Sequence, residues 1–432
     1  MKFPGKRKTK HYFPVSEETR TPLKRDLESD KSVHIIGLDQ LIVDIEVHVE
    51  DELLERYNLK KAQSQIADED LVEDLYNHFK KENLIVGEFA GGSTGNTLHN
   101  YAVLADDYCI ALGAINNQIR VGDYAYKYIC TTNSHVDLSL LKPCSGAMAR
   151  AICLITPDKE RTFVIGKGIM NQLSEDYIPE KPIATASAVL ISTYLLREME
   201  APMFAATMKA VKIAKEAKVP VVLSLGTSHI VDQKKEFLLD FITTYVDILA
   251  GNEEEMSALM DEDDPLLCLD QILDKVDMAL VTVGKSGLYL GSFCEESLLR
   301  KTKDHIHSKS LSEYNKYEYS RPMRKADCEK PQKIFTHINP FMGGPGKIEN
   351  TNGAGDAALS ALLHDITAND HHHQMVPNSP KHMAKFLTYS SLHQVAKYAN
   401  RASFEVLNQN SPRLSRGLPE KEDSLEEAYW DQ

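Results

Sequence analysis

From residue 188 onward the chain alternates short apolar runs with amphipathic ones, a rhythm that few folds accommodate. "AVLIS" (188–192) precedes "MFAATMKAVKIAKEA" (203–217), in which Phe204, Met208 and Val211 share one helical face. "VPVVLSL" (219–225) precedes "KEFLLDFITTY" (235–245), "VDILAGN" (246–252) leads into "EEEMSALM", and "MALVTVG" (278–284) leads into "SGLYLGSF". Strands that are apolar throughout, separated by such helices, predict an α/β fold whose central, mostly parallel sheet is covered on both faces. Ligands of such sheets bind beyond the carboxyl ends of the strands, so the residues just after each strand are the ones to watch.

The first half has a different texture. "SVHIIGLDQLIVDIEVHVE" (32–50) gives one core strand and then an alternating stretch, and "AICLITPDKERTFVIG" (151–166) reads as a hairpin around Pro157-Asp158-Lys159-Glu160. Alternation implies one wet face, which predicts a small β lid drawn from parts of 44–60 and 110–170. The polar stretch 295–348, ending in "NPFMGGPGK", breaks the rhythm and reads as an insertion between core elements. The expected organisation is a basic extension (1–32), one lidded α/β domain (33–417) and a charged extension (418–432). Whether the insertion orders against a second copy of the chain is left open by the sequence.

The net charge of −14 argues against general nucleic-acid binding, which needs a basic footprint. Lys2, Lys6, Arg7, Lys8 and Lys10 form a short basic tail of the kind that is usually solvated. No apolar run is long enough to span a bilayer, and "MKFPGKRKTK" lacks the apolar core of a signal peptide. The seven scattered cysteines contain no CxxC pair, so the expected compartment is the cytoplasm, with neither a disulfide framework nor a zinc site. "DHHHQ", with His371, His372 and His373, is expected to be a polar surface loop, because adjacent histidines point different ways.

The stretch "ENTNGAGDAALSALLHDI" (349–366) carries the most chemistry. A helix N-terminus offers unpaired N–H groups and partial positive charge, and Gly353, Ala354 and Gly355 let an anion approach that backbone closely. Asp356 beside them would repel phosphate, so it makes sense as a general base for an attacking hydroxyl. Alone, "GAGD" would more simply be a turn. Three further segments weigh against that. "FAGGSTGNTLHN" (89–100) places Gly91 and Gly92 before Ser93 and Asn96, suited to a sugar; "AGNEEEMSAL" carries Asn252 and Glu255 on one face of a helix start. That pair would order magnesium through its waters, or simply cap the helix. "VTVGKSG" (281–287) sets Thr282, Gly284 and Gly287 at a strand end, suited to nucleotide phosphate or ribose or to an ordinary turn.

These segments, in this order, resemble the ribokinase/PfkB family of carbohydrate kinases, whose signature D-T-x-G-A-G-D stands here as Asn350-Thr351-Asn352-Gly353-Ala354-Gly355-Asp356. The resemblance runs from about residue 33 to about 417 and implies a ribokinase-like fold. Within the family, "GLDQLIVDIEVHVEDELLERYNL" and "GGSTGN" are similar to adenosine kinases. The insertion, the "KFPGKRK" start and the tail "SPRLSRGLPEKEDSLEEAYWDQ" resemble the bacterial branch acting on inosine and guanosine. That tail on its own reads as a charged, exposed extension. The resemblance implies transfer from ATP to the 5′-hydroxyl of inosine or guanosine, giving IMP or GMP. It gives Asp356 the role of base and Gly353 to Gly355 that of anion hole. Asp44 would hold the ribose hydroxyls, with Gly92 and Asn96 closing on the sugar and Gln40 nearby. Glu255 with Asn252 would serve Mg2+, and Thr282, Gly284 and Asn400 would lie along ATP. The hairpin 151–166 would exclude water.

The chain departs from the pattern at Asn350, which removes a charge that can support a monovalent cation such as K+, and at Ala358, where a large aromatic often stands. A 6-oxopurine calls for a donor near its carbonyl; Arg197, past the strand at 188, is the candidate, or else a surface arginine, and Tyr194 is placed to stack on the base. Adenosine or a free sugar as acceptor, or a nucleoside-binding regulator on the same scaffold, remain alternatives. A Rossmann dehydrogenase is disfavoured, since no GxGxxG opens a helix after the first strand.

Overall fold

The computed structural model describes residues 33–418 apart from 62, 106 and 159; the basic start and the charged end beyond 418 lie outside the described residues. The strands of the first half are β1 (Ile35–Leu38), β2 (Ile42–His48), β3 (Ser64–Ala67), β4 (Ile85–Ala90), β5 (Cys109–Leu112), β6 (Ala114–Asn116), β7 (Val136–Asp137), β8 (Lys142–Cys144), β9 (Ala149–Ile155) and β10 (Arg161–Gly166). Those of the second half are β11 (Ala188–Ser192), β12 (Val221–Ser224), β13 (Ile248–Asn252), β14 (Met278–Thr282), β15 (Leu288–Glu295) and β16 (Pro331–Ile338).

Among the described residues, nine strands form the main sheet in the order β16-β15-β14-β13-β12-β11-β1-β5-β7. Its body is parallel, while β15 and β16 run antiparallel at one edge. Parallel neighbours need crossovers, and the helices Pro202–Glu216, Ser228–Tyr245, Glu253–Met260 and Pro265–Ile272 supply them. The strands can stay apolar because both faces are covered. Leu190 of β11 packs with Leu98, Leu362 and Val395, whereas its neighbours Val189 and Ile191 pack with Ala210, Leu238 and Phe241 on the other side. The helix Ala354–Met375 is buried almost all round from Ala357 to Asn369, as its apolar sequence requires. The strand order reverses at β1, which lies between β11 and β5, and the chain passes from the end of β1 straight into the lid. That junction opens the crevice in which the site is built.

The lid is a five-stranded sheet in the order β3-β10-β9-β2-β4, backed by the helix Glu69–Lys81. Val43, Ile45 and Val47 of β2 face Val72, Leu75 and Phe79 of that helix, and alternation turns Asp44 and Glu46 the other way. The hairpin at 151–166 is present as β9 paired antiparallel with β10. The lid also recruits β3 and β4, outside the spans 44–60 and 110–170, whereas residues 110–112 of the second span belong to the main-sheet strand β5. β9 lies in the middle of its sheet and is buried on both sides from Ala149 to Leu154, so it is not half-wet as alternation implied.

Two further expectations change. The 295–348 stretch is not wholly an insertion, because residues 331–338 form β16 and pair with β15 along their whole length. As an edge strand it buries only Ile334, Phe335 and Thr336, which is why its sequence does not read as core. The "DHHHQ" run is not a loop: the helix Ala354–Met375 runs on through it, and His372 Nδ1 lies 2.6 Å from His382 Nε2. Among the described residues no group of His, Cys, Asp and Glu is arranged to hold a metal ion, and no helix is long and apolar enough to cross a membrane.

Candidate active site

The helix Ala354–Met375 begins without a side-chain cap. Its first backbone bond runs from Ala357 N to Gly353 O at 2.8 Å, and no described hydrogen bond uses the N–H of Ala354, Gly355 or Asp356. Gly353 has φ 79°, and a Cβ there would lie 2.5 Å from the carbonyl oxygen of Pro412, so only glycine fits the turn. Gly355 is exposed, and nothing lies within 4 Å of where its Cβ would be. One glycine is demanded by packing; the other keeps the space before the helix end open.

Asp356 is half-buried beside this opening. It accepts hydrogen bonds from Ser93 Oγ at 2.6 Å and Asn96 Nδ2 at 3.3 Å. Burial pushes its carboxyl up to about 6, against the pull of those two donors and of the Arg413 guanidinium. The group is therefore mostly ionised at neutral pH yet close to the range where a base works well.

Gly91 and Gly92 have a reason the sequence did not reveal. A Cβ on Gly91 would collide with the Asp44 carboxylate, and one on Gly92 (φ 86°) would lie 2.5 Å from Asp39 Oδ2. The bare backbone makes room first for the protein's own carboxylates. Asp44 is pushed up to about 7 by burial, with Arg413 opposing and Glu46 and Asp356 adding to the rise. Asp39, which the sequence reading did not single out, is pushed up to about 8 by burial, with Arg413 again opposing.

On the second-half side, Asn252 and Thr282 end β13 and β14 as direct register partners. Asn252 Oδ1 accepts from Glu255 N at 2.8 Å, Glu255 Oε2 accepts from Asn252 N at 2.9 Å, and Glu255 Oε1 accepts from Asn252 Nδ2 at 3.1 Å. This is a capping box, so the bland alternative weighed for this pair is present. Glu255 nonetheless shares the cleft: burial pushes it up to about 7, and the charge of Asp356 contributes to that rise. A carboxylate so placed is suited to hold a hydrated divalent cation through its waters.

Burial raises the Tyr194 phenol, the charges of Glu255, Asp356 and Asp44 add to the rise and Arg197 opposes it; its hydroxyl donates to Gly226 O at 3.2 Å. Gln40 Nε2 donates to Asn171 Oδ1, and Asn171 Nδ2 donates to Glu198 Oε2 at 3.2 Å. Arg197 stands next to that carboxylate, its Nε 3.9 Å from Glu198 Oε1 and buried without a hydrogen-bond partner. Gly284 (φ 37°) shapes the turn after β14, while Gly287 (φ 86°) is pressed against the Ile338 carbonyl. Asn400 Nδ2 donates to Asn339 O, so Gly287 and Asn400 meet around residues 338–339 rather than at the carboxylates.

The departure at Asn350 has a local cause. Its Nδ2 donates to Asn410 O at 2.7 Å, which an aspartate could not do, and its Oδ1 accepts from Asn352 N at 2.8 Å and from Arg161 Nη1 of the lid at 3.3 Å. The tail from 411 also differs from expectation: Arg413 and Leu414 are 5% and 2% exposed, so this part is core.

The model of the pfkB family of carbohydrate kinases matches residues 82–306. The guanosine-inosine kinase of Escherichia coli strain K12 is 51% identical over 435 residues, covering 100% of both chains. Among solved structures, adenosine kinase from Sinorhizobium meliloti has a TM-score of 0.64 at 20% identity, covering 90% of this chain and 97% of its own. A probable sugar kinase from Rhizobium etli CFN 42 has a TM-score of 0.65 at 21% identity, covering 90% and 96%. These two likenesses establish the ribokinase-like fold, and the full-length relative and the family model together establish membership: the chain belongs to the pfkB family of carbohydrate kinases.

Proposed function

We propose that this chain transfers the terminal phosphoryl group of ATP to the 5′-hydroxyl of guanosine and inosine, giving GMP and IMP. The observation that carries the reading is the uncapped helix start at Ala354–Gly355 with Asp356 beside it. The hydroxyl proton passes to the Asp356 carboxylate as the alcohol attacks, and the free amides receive the negative charge of the transferring group. Asp44 accepts from the vicinal ribose hydroxyls, and Gly91, Gly92, Ser93 and Asn96 line the sugar. Binding there places the nucleoside against the same Ser93 and Asn96 that hold Asp356.

Thr282, Gly284, Gly287 and Asn400 line the path of ATP. Magnesium, held through its waters by Glu255, would neutralise phosphate charge when bound; Asn252 sets the orientation of that carboxylate. The lid hairpin covers the cleft and excludes water, which protects ATP from hydrolysis. Tyr194 stacks on the base. Arg197, whose buried Nε has no hydrogen-bond partner, supplies a donor to the 6-oxo group.

The test is incubation of the protein with ATP, Mg2+ and guanosine, inosine, adenosine or ribose in parallel. GMP and IMP, with little AMP, are expected. AMP or ribose phosphate as the main product would move the chain to another acceptor, and tight nucleoside binding without any phosphorylation would make it a binder.

A further inference from the structure

We propose that Arg413 is a positioning residue for the phosphoryl transfer: from the C-terminal segment it fixes the Asn96 amide against Asp356 and brings a permanent positive charge to the buried carboxylates around them. The inference rests on the kinase reading above. Arg413 sits in a stretch with neither helix nor strand, yet it is 5% exposed. Its Nε donates to Asn96 Oδ1 at 3.0 Å, Nη2 to Gly91 O at 3.1 Å and Tyr128 OH at 3.4 Å, and Nη1 to Thr132 Oγ1 at 2.9 Å. The guanidinium also lies 5.1 Å from the centre of the Tyr128 ring.

An amide has one acceptor end and one donor end. With Oδ1 held by the guanidinium, Asn96 must turn Nδ2 toward Asp356, as observed at 3.3 Å. Without Arg413 the amide is free to flip, and its oxygen would then face the carboxylate. The segment is seated firmly enough to impose this. Leu414 N donates to Asn100 Oδ1 at 2.7 Å, Asn100 Nδ2 donates to Pro412 O at 3.3 Å, and His99 Nε2 meets Leu414 O at 3.0 Å. Pro412 also packs on Gly353, so one short segment touches both the sugar loop and the anion hole.

The groups whose charges face Asp356 are Arg413, Asp39, Asp44, Glu255 and the Tyr194 phenol, and Arg413 is the cation that opposes the rise of Asp39, Asp44 and Asp356 alike. Removing it should make Asp356 harder to ionise.

Arg413→Gln and Arg413→Lys are compared with wild type for GMP formation across pH, alongside thermal unfolding and titration of active sites. Arg413→Gln is expected to lower kcat by roughly 10- to 100-fold, to change KM for guanosine far less, and to move the acid limb of the kcat profile to higher pH. Arg413→Lys keeps the charge but not the fork, so it should hold the acid limb and recover part of kcat. Wild-type kcat and acid limb in Arg413→Gln would overturn the inference, as would a rate loss accounted for by fewer folded molecules alone. If Arg413→Gln does not fold, Arg413→Lys decides: full kcat overturns the inference, and reduced kcat at unchanged melting temperature supports it. Wild type failing to make GMP would instead refute the kinase reading.

Discussion

Two helices start at the edge of the same cleft, and they start in opposite ways. The helix Glu253–Met260 closes its end with its own side chains, Asn252 and Glu255 satisfying each other's backbone. The helix Ala354–Met375 leaves its end bare, with a left-handed glycine before it and open space in front of Gly355. Capping is worth about 1 kcal/mol, and the second helix forgoes it at the cleft. The capped end orients its own acid; the uncapped end leaves its first amides without a side-chain partner, as the proposed anion hole requires. The contrast separates two candidate sites whose sequences look equally loop-like.

Several substitutions would break or sharpen this contrast. Asp356→Asn removes the proton acceptor while keeping the shape, so turnover should fall by about 10³-fold with guanosine binding retained; unchanged turnover would take Asp356 out of the base role. Gly355→Val fills the open space at the bare end. Activity should drop by roughly 100-fold while the melting temperature changes little, because beyond the helix's own backbone and chain neighbours no heavy atom lies within 4 Å of an added Cβ. A large fall in melting temperature would show that the glycine serves packing instead.

At the capped end the expectation is reversed. Asn252→Ala should lower stability by about 1 kcal/mol in chemical denaturation, with a smaller loss of activity seen as a raised Mg2+ requirement. A stability unchanged by Asn252→Ala would mean the box contributes nothing. Asp39 gives a pH test of the shared carboxylate cluster. Its acid form is favoured in the fold, pushed up to about 8, so the stability it lends is lost as pH rises from the unfolded carboxylate range toward 8. Asp39→Asn should therefore flatten the decline of melting temperature between acid and mildly alkaline pH, and an unaltered slope would count against the burial argument. The smallest effect expected is from exchanging K+ for Na+, less than about twofold in kcat, since the Asn350 side chain is already engaged and carries no charge.

The elements could be read wherever local pattern is enough. The runs at 188–192, 246–252 and 278–284 became β11, β13 and β14 because strands buried on both faces must be apolar throughout. The helix at 228–245 was read only from 235; its first part is short, is separated by a kink at Lys234 and buries only Ile230 and Val231. β16 escaped because an edge strand needs to bury only a few residues. In the site, the signature pointed to Gly353–Asp356, where the structure has an uncapped helix start, since the bareness of a helix end is a property of a few consecutive residues. The glycines at 91 and 92 were legible as a close approach, but the partner in that approach, a carboxylate from a neighbouring strand, was not.

By itself, then, the sequence determined the sheet, the lid hairpin and the bare helix start, all set by residues near one another in the chain and by the spacing of their apolar side chains. Only the tertiary structure decided which way Asn96 points, why Asp39 and Asp44 need glycines beside them, and that Arg413 reaches the site. The reason is distance along the chain: Arg413 and Asn96 are separated by 317 positions, and no local spacing encodes a hydrogen bond between them.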